Sequence, residues 1–216
     1  MSNQQLAPSP RRKDPEATRD RLLECAFHEI YEHGYAGASV DSILANSGLT
    51  KGALYHHFGS KAELTYAVID EVIRPFVIER WVAPLEGSED PITVLAGYIG
   101  SLETLLSDRE LCLGCPLNNL SQELAAESDE FRIRMEGVFR SWRDGLAEIF
   151  RHGQDCGTVR TDRPAEAMAA YVVSSFEGMA TTMKSSRDRQ LVASIAAMFV
   201  QSLEGLRPPG QAASAA

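Results

Sequence analysis

The 216-residue sequence predicts an all-α protein made of two parts. Apolar residues recur three and four positions apart along nearly the whole chain, which is the period of an amphipathic helix, and no run shows the strict alternation of a half-buried strand. Charge is divided unevenly, because residues 1–66 hold 7 basic and 8 acidic side chains and most of the net charge of -9 falls on the remainder. This asymmetry indicates two regions with different partners.

The composition excludes several classes of protein. Hydrophobic residues make up 44% and charged residues 24%, which is typical of a globular protein and not of a disordered chain. No stretch approaches the eighteen uninterrupted apolar residues of a membrane span, and the polar N-terminus lacks the apolar core of a secretory signal. Four cysteines are too few for a disulfide scaffold, so a cytoplasmic protein is predicted. The negative net charge disfavours coating of nucleic acid by bulk charge but allows a local contact face.

The predicted organisation has four segments. Residues 1–13 form a flexible basic arm, residues 14–60 a three-helix head, residues 61–206 a larger helical domain and residues 207–216 a flexible tail, since Pro208 and Pro209 cannot continue a helix. The basic cluster of the arm, residues 11–13, is either a solvated tail or a segment that reaches phosphates or a minor groove.

Capping residues, glycines and prolines set the predicted helix boundaries. The first helix begins at Asp14-Pro15 and ends at Gly34. The second lies between Ser39, its N-cap, and Gly48, and the third runs from Thr50, its N-cap, to about Phe58. A capping box formed by Ser60 and Glu63 opens the fourth, which Pro75 should end or kink near Arg74.

The later helices follow the same logic. One begins at Asp90-Pro91 and continues through Leu106, one begins at Pro116, and one spans Phe131 to Gly153. The last two run from about Pro164 to Lys184 and from Asp188 to Leu206. Their predicted inner faces place small residues against larger ones: Ala167, Ala170, Tyr171, Ser174 and Gly178 on the first, and Leu191, Ile195, Met198, Ser202 and Leu203 on the second.

Residues 39–61 carry the most informative pattern, namely two short helices joined by a tight turn that contains Gly48. This is the plan of a helix-turn-helix, whose second helix enters the DNA major groove. Small side chains at the start of the second helix allow its backbone to approach base edges, and free N–H groups there favour a phosphate. Leu54 and Phe58 lie on the opposite face and hold this helix onto the first.

The same stretch resembles the TetR family of transcriptional regulators, together with the Arg19–Ala26, Gly34–Val40 and Gly59–Leu64 segments and, more loosely, the Gly114–Glu123 stretch. The resemblance implies a DNA-binding head, an effector-binding domain and a homodimer that pairs through the last two helices. It further implies a repressor that a small molecule releases from a partly palindromic operator. Family residues that touch the operator match Ser39, Thr50, Lys51, Gly52, Ala53, Tyr55, His56 and Lys61.

An effector pocket is expected among the inward faces of the C-terminal helices, although each of these residues can also be plain core. The predicted lining comprises Tyr98, Leu102, Cys115, Asn119, Met135, Phe139, Trp142, Phe176 and Met179. The chemical identity of the effector is not encoded in any motif.

Cys112 and Cys115 form a C-x-x-C pair that supports an alternative function. A thiol-based redox sensor is one alternative, because Cys115 precedes Pro116 at a helix start where the dipole lowers a thiol pKa. A thiol oxidoreductase is a second, and two small side chains in a packed wall are a third. No second pair or histidine cluster supports a metal site. No phosphate-binding glycine loop or catalytic set is present, so neither an enzyme nor a bound cofactor is predicted.

Overall fold

The computed structural model of the chain describes residues 15–210, apart from the side chain of Glu103. Over that range the chain is helical and contains no β-strand, which confirms the predicted fold class. None of its helices combines the length and apolarity that crossing a bilayer requires. The α-helices are α1 (Pro15–Gly37), α2 (Val40–Ser47), α3 (Lys51–His57), α4 (Lys61–Val68), α5 (Arg74–Trp81), α6 (Pro91–Gly100), α7 (Leu102–Leu105), α8 (Asp108–Leu113), α9 (Pro116–Leu124), α10 (Asp129–Asp155), α11 (Ala165–Ser186) and α12 (Arg189–Glu204).

The first three helices pack around one apolar centre. Leu22 and Ala26 of α1, Ile43 of α2 and Leu54 of α3 are all fully buried there. Gly34 adopts φ 70° and ψ 173°, so regular helix stops where the sequence predicts, although one further turn continues to the end of α1. The helix start at Asp14 and the arm at residues 1–13 lie outside the described residues.

The predicted caps of the short helices are confirmed. Ser39 and Thr50 accept hydrogen bonds from the backbone N–H groups of Ser42 and Ala53, and Gly48 ends α2 in the left-handed region. Only one of the two hydrogen bonds of the predicted capping box at Ser60 is formed. Its serine accepts from the N–H of Glu63, but the Glu63 carboxylate accepts from the N–H of Gly59. A Cβ at Gly59 would lie 2.9 Å from that carboxylate, so a larger residue there would require the Glu63 side chain to shift.

Pro75 does not end the helix in which it lies, so the first of the two predicted outcomes, an end or a kink, is wrong. Residues Ile69–Ile73 form a π-helical segment, and α5 continues directly from Arg74. Proline lacks an N–H and its ring clashes with the carbonyl four residues earlier, here that of Glu71. The wider π turn contains that carbonyl, which explains how the linking helix passes the proline.

The single helix predicted from Pro91 through Leu106 is interrupted. The backbone leaves the helix at Ser101, a four-residue α7 follows, and Ser107 and Glu110 form a full capping box that starts α8. The sequence pattern hid the interruption because Ile99, Leu102 and Leu106 keep the helical apolar spacing across Ser101. The helices α9 to α12 begin and end within about three residues of their predicted bounds.

The inner faces predicted for the last two helices are mostly wrong for a single chain, although Leu203 is fully buried as predicted. Ala167, Tyr171 and Gly178 are exposed, as are Leu191 and Met198. The residues that α11 and α12 turn toward the core are Met168, Val172, Phe176, Met179, Met183, Val192, Ala196, Phe199 and Leu203. Both faces of each helix are apolar, so periodicity alone cannot tell which face meets the core.

Arg207, assigned to the flexible tail, packs against the body of the protein. Its guanidinium forms ion pairs with Asp90 at 3.0 Å and Glu204 at 2.6 Å, and its side chain is only 11% exposed. The packed part of the chain therefore extends at least to this residue. The tail beyond residue 210 lies outside the described residues.

Gly48 offers a test of the turn in the head. No atom lies within 4 Å of a Cβ built at Gly48, so Gly48→Ala costs only the left-handed backbone conformation, with φ 68°. We expect a loss of about 1 kcal/mol in the free energy of unfolding.

The matched control is Gly97→Ala, at an exposed helical position in α6 that is equally free of contacts. Alanine should stabilise the protein there by about 0.5–1 kcal/mol, because it restricts the unfolded chain and favours helix. Denaturant titrations of both variants measure the difference. Equal effects of the two substitutions would contradict the assigned turn.

Candidate nucleic-acid interface and ligand cavities

The helix α3 presents a polar, exposed surface opposite its buried side. Leu54 is fully buried, whereas Lys51, Gly52 and His56 are exposed and Tyr55 is 46% exposed. The N–H groups of the first turn have no acceptor within the helix. A lysine, a glycine and two aromatic donors thus share one accessible surface of a helix that follows a tight turn. This surface has the size and shape of an element that enters a major groove.

The remaining predicted DNA-contact residues also have structural roles. Ser39 and Thr50 cap α2 and α3, and Ala53 is partly buried and donates its N–H to Thr50. Lys61 is partly buried, and its ammonium lies 4.6 Å from the centroid of the Tyr35 ring. These four residues therefore stabilise the helices of the candidate interface and also lie at its edge.

One carboxylate joins the C-terminal end of α1 to α9. Glu123 accepts hydrogen bonds from the backbone N–H groups of Tyr35 at 2.8 Å and Ala36 at 2.7 Å. These two groups directly follow Gly34, where a Cβ would lie 2.9 Å from a Glu123 oxygen. Glycine is required at this position by its positive φ and by the approach of the carboxylate. Sequence reasoning missed this contact, although Glu123 ends the Gly114–Glu123 stretch that resembles the family.

Two cavities adjoin this junction. The larger is an open cleft of about 410 Å³ between α1 and the α8–α9 region, and Cys112, Asn119 and Glu123 help to line it. The smaller, of about 40 Å³ and called the inner cavity below, is also partly open and is lined by buried residues such as Trp81, Leu102, Cys115 and Phe176. Tyr31 of α1 belongs to both linings, and its hydroxyl donates a hydrogen bond to the carbonyl of Gly114. A side chain of the head thus forms part of the wall between the two cavities.

Two family models match this chain. The model for "Bacterial regulatory proteins, tetR family" matches residues 22–68, which include the helix-turn-helix. The model for "Tetracyclin repressor-like, C-terminal domain" matches residues 91–199, which is half of the chain.

The chain belongs to the TetR family. It is therefore a DNA-binding transcriptional regulator. The transcriptional regulator AcuR of Cereibacter sphaeroides is 31% identical to it over 78% of this chain and 80% of that protein. The transcriptional repressor DhaR of a Mycobacterium species is 28% identical over 80% and 85%.

Solved structures show the same fold. A regulatory protein TetR from Rhodobacter sphaeroides is 28% identical to this regulator, with a TM-score of 0.74 over 85% of this chain and 97% of that one. A TetR-family regulator from Cytophaga hutchinsonii gives a TM-score of 0.79 over 92% and 98%, at 21% identity.

The predicted pocket residues of this regulator do not form one lining. Leu102, Cys115 and Phe176 line the inner cavity, and Asn119 lines the outer cleft. Met135, Trp142 and Met179 are buried in the core and belong to neither lining, while Tyr98 and Phe139 are partly buried against the core. Residues missed by sequence reasoning include Tyr31, Phe76 and Arg80, because they come from α1 and α5.

The Cys115 thiol lacks the lowered pKa that the redox hypothesis requires. Burial raises its pKa well above the usual value, and the nearby Glu177 carboxylate raises it further. Hydrogen bonds from the N–H groups of Asn118 and Leu117 lower the pKa, as expected at a helix start, but they are the weaker effects. A thiol held in its neutral form is a poor nucleophile.

Glu177 is a buried carboxylate with few partners. It is 9% exposed, and neither of its oxygens has a hydrogen-bond partner that meets ordinary geometric criteria. The weak S–H donor of Cys115 lies beside it. Burial raises the pKa of Glu177 to about 7, and the neighbouring Cys115 lowers it only slightly.

Glu177 makes the stability of the regulator depend on pH. Its native pKa lies above the value of about 4.5 that it has when unfolded, so the native state binds the extra proton between pH 4.5 and 7. Stability from this group is present below pH 4.5 and is lost as the pH rises through 7. Glu177→Gln should therefore exceed the stability of the wild type by less than about 1 kcal/mol near pH 5 and by up to about 3 kcal/mol at pH 8.

Chemical denaturation at a fixed protein concentration, at pH 5 and pH 8, measures this effect. Glu79→Gln, at an exposed site on α5, is the control and should show no such pH-dependent gain. If the Glu177→Gln variant is less stable than the wild type at pH 8, the burial of an ionised carboxylate is contradicted.

Proposed function

We propose that this regulator is a homodimeric repressor that binds a partly palindromic operator and is released by a small-molecule effector. The main support for operator binding is the exposed polar surface of α3, which lies on the side of the helix opposite the buried Leu54. The name of the relative DhaR, a repressor, supports the sign of regulation. Because its target is DNA, we place the action of the protein in the cytoplasm.

The proposed operator contacts are those predicted from the sequence, with two kinds of role. Lys51, Gly52, Tyr55 and His56 form the exposed contact surface, while Ser39, Thr50, Ala53 and Lys61 position it and border it. In this proposal residues 14–60 form the DNA-binding head and residues 61–206 the effector-binding and dimerisation domain. The α4 helix packs on α1 and carries the connection between them.

The proposed dimer uses the exposed face of α11 and α12. Tyr171 is 47% exposed and Met198 is 65% exposed, and small residues such as Ala167 and Gly178 lie on the same side. Exposed apolar side chains next to small ones allow close packing of helices from a second chain. This face therefore supports the homodimer through the last two helices that the family resemblance implies.

Release of DNA follows from the contacts between α1 and the effector domain. Glu123 and Gly114 hold the C-terminal half of α1 through its backbone and through Tyr31. A ligand that binds better to a conformation in which these contacts change moves the head and shifts the population away from the DNA-binding form. The raised pKa of Cys115 disfavours the redox-sensor and oxidoreductase alternatives, since both need an accessible thiolate.

Lys51→Ala tests the DNA interface. Loss of a phosphate contact should weaken binding to DNA that flanks the regulator's own gene, with little change in sequence preference. The slope of log K against log salt should fall by about one per protomer. Fluorescence anisotropy over a range of salt concentrations measures both effects.

Arg140→Ala removes another exposed positive charge, from α10, far along the chain from the head, and serves as the control. If the two variants lose the same affinity, binding depends on bulk charge and the proposed interface is wrong.

Met198→Lys tests the dimer interface. A charge at this exposed position should prevent close packing of α12 against a second chain and yield monomers in light scattering. Ile133→Lys, at a position on α10 that is 57% exposed, is the control and should leave the oligomeric state unchanged. A Met198→Lys variant that remains dimeric would argue for a different interface.

A further inference from the structure

Three buried side-chain atoms lack hydrogen-bond partners in the described part of the chain, and two of them belong to Glu177. The third is Nε1 of Trp142. Buried polar groups are normally satisfied, because leaving one unpaired costs stability. Glu177 is therefore a group whose retention needs an explanation beyond folding.

Glu177 lies next to the inner cavity. Cys115 contributes to that cavity's lining, and its thiol lies beside the Glu177 carboxylate. Phe176 and Ala180, on the same helix as Glu177, line the cavity as well. The Cys115 side chain thus contacts the carboxylate and also lines the cavity, so displacement of this small side chain would bring a ligand toward Glu177.

Aromatic rings surround the same place. The Trp81 ring centroid lies 3.9 Å from that of Phe176, 5.0 Å from that of Tyr98 and 5.7 Å from that of Trp142. Ring faces attract cations, and the Arg80 guanidinium already lies 5.8 Å from the Trp81 centroid. Arg80 is paired with Glu110 at 3.6 Å, so that pair is neutral and the charge of Glu177 is left uncompensated.

The available space also constrains the ligand. The inner cavity of about 40 Å³ holds little more than one water molecule, so a larger ligand needs a wall to move. Tyr31 is shared with the outer cleft of about 410 Å³, and its displacement would join the two spaces. The combined space suits a compact organic molecule.

From this arrangement we propose that the effector is a compact organic monocation with an apolar body. Its positive end binds the Glu177 carboxylate, and its body packs against Trp81 and Phe176, which line the inner cavity. The cation supplies the partner that the carboxylate lacks in the protein. This inference rests on the proposed function, because it names the class of the effector that releases the DNA.

Three probes with closely similar frames and different charges test the proposal: 2-phenylethylammonium, 2-phenylethanol and phenylacetate. The chain has two tryptophans, Trp81 and Trp142, and both lie in the aromatic cluster, so intrinsic fluorescence reports binding. We expect the cation to bind at least tenfold more tightly than the alcohol or the anion. It should also release DNA from the wild-type regulator in a mobility shift.

Two variants complete the experiment. Glu177→Gln should abolish the preference for the cation, whereas Cys115→Ala, which leaves the carboxylate more accessible, should keep or strengthen it. Equal binding of the three probes, preference for the alcohol or anion, no saturable binding of the cation, or a cation preference retained in Glu177→Gln would overturn the proposal. DNA binding without any probe is measured separately, so a failure of the operator interface is distinguished from a failure of this ligand class.

Discussion

The most direct backbone link between the DNA-binding head and the C-terminal helices is made by one carboxylate, that of Glu123. Glu123 receives two backbone N–H groups at the point where α1 is broken by Gly34, and hydrogen bonds to an ionised acceptor are stronger than neutral ones. These N–H groups would otherwise be orphans at the start of the last turn of α1. One side chain of α9 therefore satisfies the local backbone of α1 and fixes its direction relative to the C-terminal helices. A change in α9 reaches the helix that supports the recognition helix without passing through a flexible linker.

The two glutamates at the junction and in the core have opposite energetic roles. Glu123 has two strong donors and stabilises the contact between the two parts of the chain. Glu177 has only the weak donor of Cys115, and its raised pKa shows that burial disfavours its charge. A carboxylate that lowers stability near neutral pH would be replaced readily by a neutral residue if folding alone determined the sequence. The proposed binding of a cation beside the aromatic cavity would account for this cost.

The sequence was sufficient to predict the fold class and most helix boundaries. The caps Ser39 and Thr50 and the left-handed Gly48 act within four residues, so local sequence determines them. The interruption at Ser101 was not predicted, and the sequence left open whether Pro75 ends or kinks its helix. Most residues predicted to face inward on α11 and α12 lie on exposed faces instead, because both faces of each helix are apolar.

The cavity residues were harder to predict for the same physical reason. Helical periodicity identifies the residues that face inward, but it does not show where packing leaves a cavity between the helices. The core residues Met135 and Trp142 therefore could not be distinguished from the cavity residues Leu102 and Phe176. Tyr31 was missed because it lies in the N-terminal head, and only the folded chain brings its hydroxyl to Gly114. The candidate DNA interface was easier to outline because it is contiguous in sequence.

The small volume of the inner cavity is the proposed source of regulation. A ligand shifts a conformational equilibrium only by the difference between its affinities for the two states. In the present conformation the space beside Glu177 is about 40 Å³, so an organic cation binds this state poorly for steric reasons. In a state with Tyr31 displaced, the same cation would contact the Glu177 carboxylate and the aromatic ring faces.

A ligand that binds one state about 10⁴-fold more tightly than the other converts a protein almost wholly in the second state into one almost wholly in the first. Because Tyr31 belongs to α1, the movement that admits the ligand is also a movement of the head, and no separate transmission element is required.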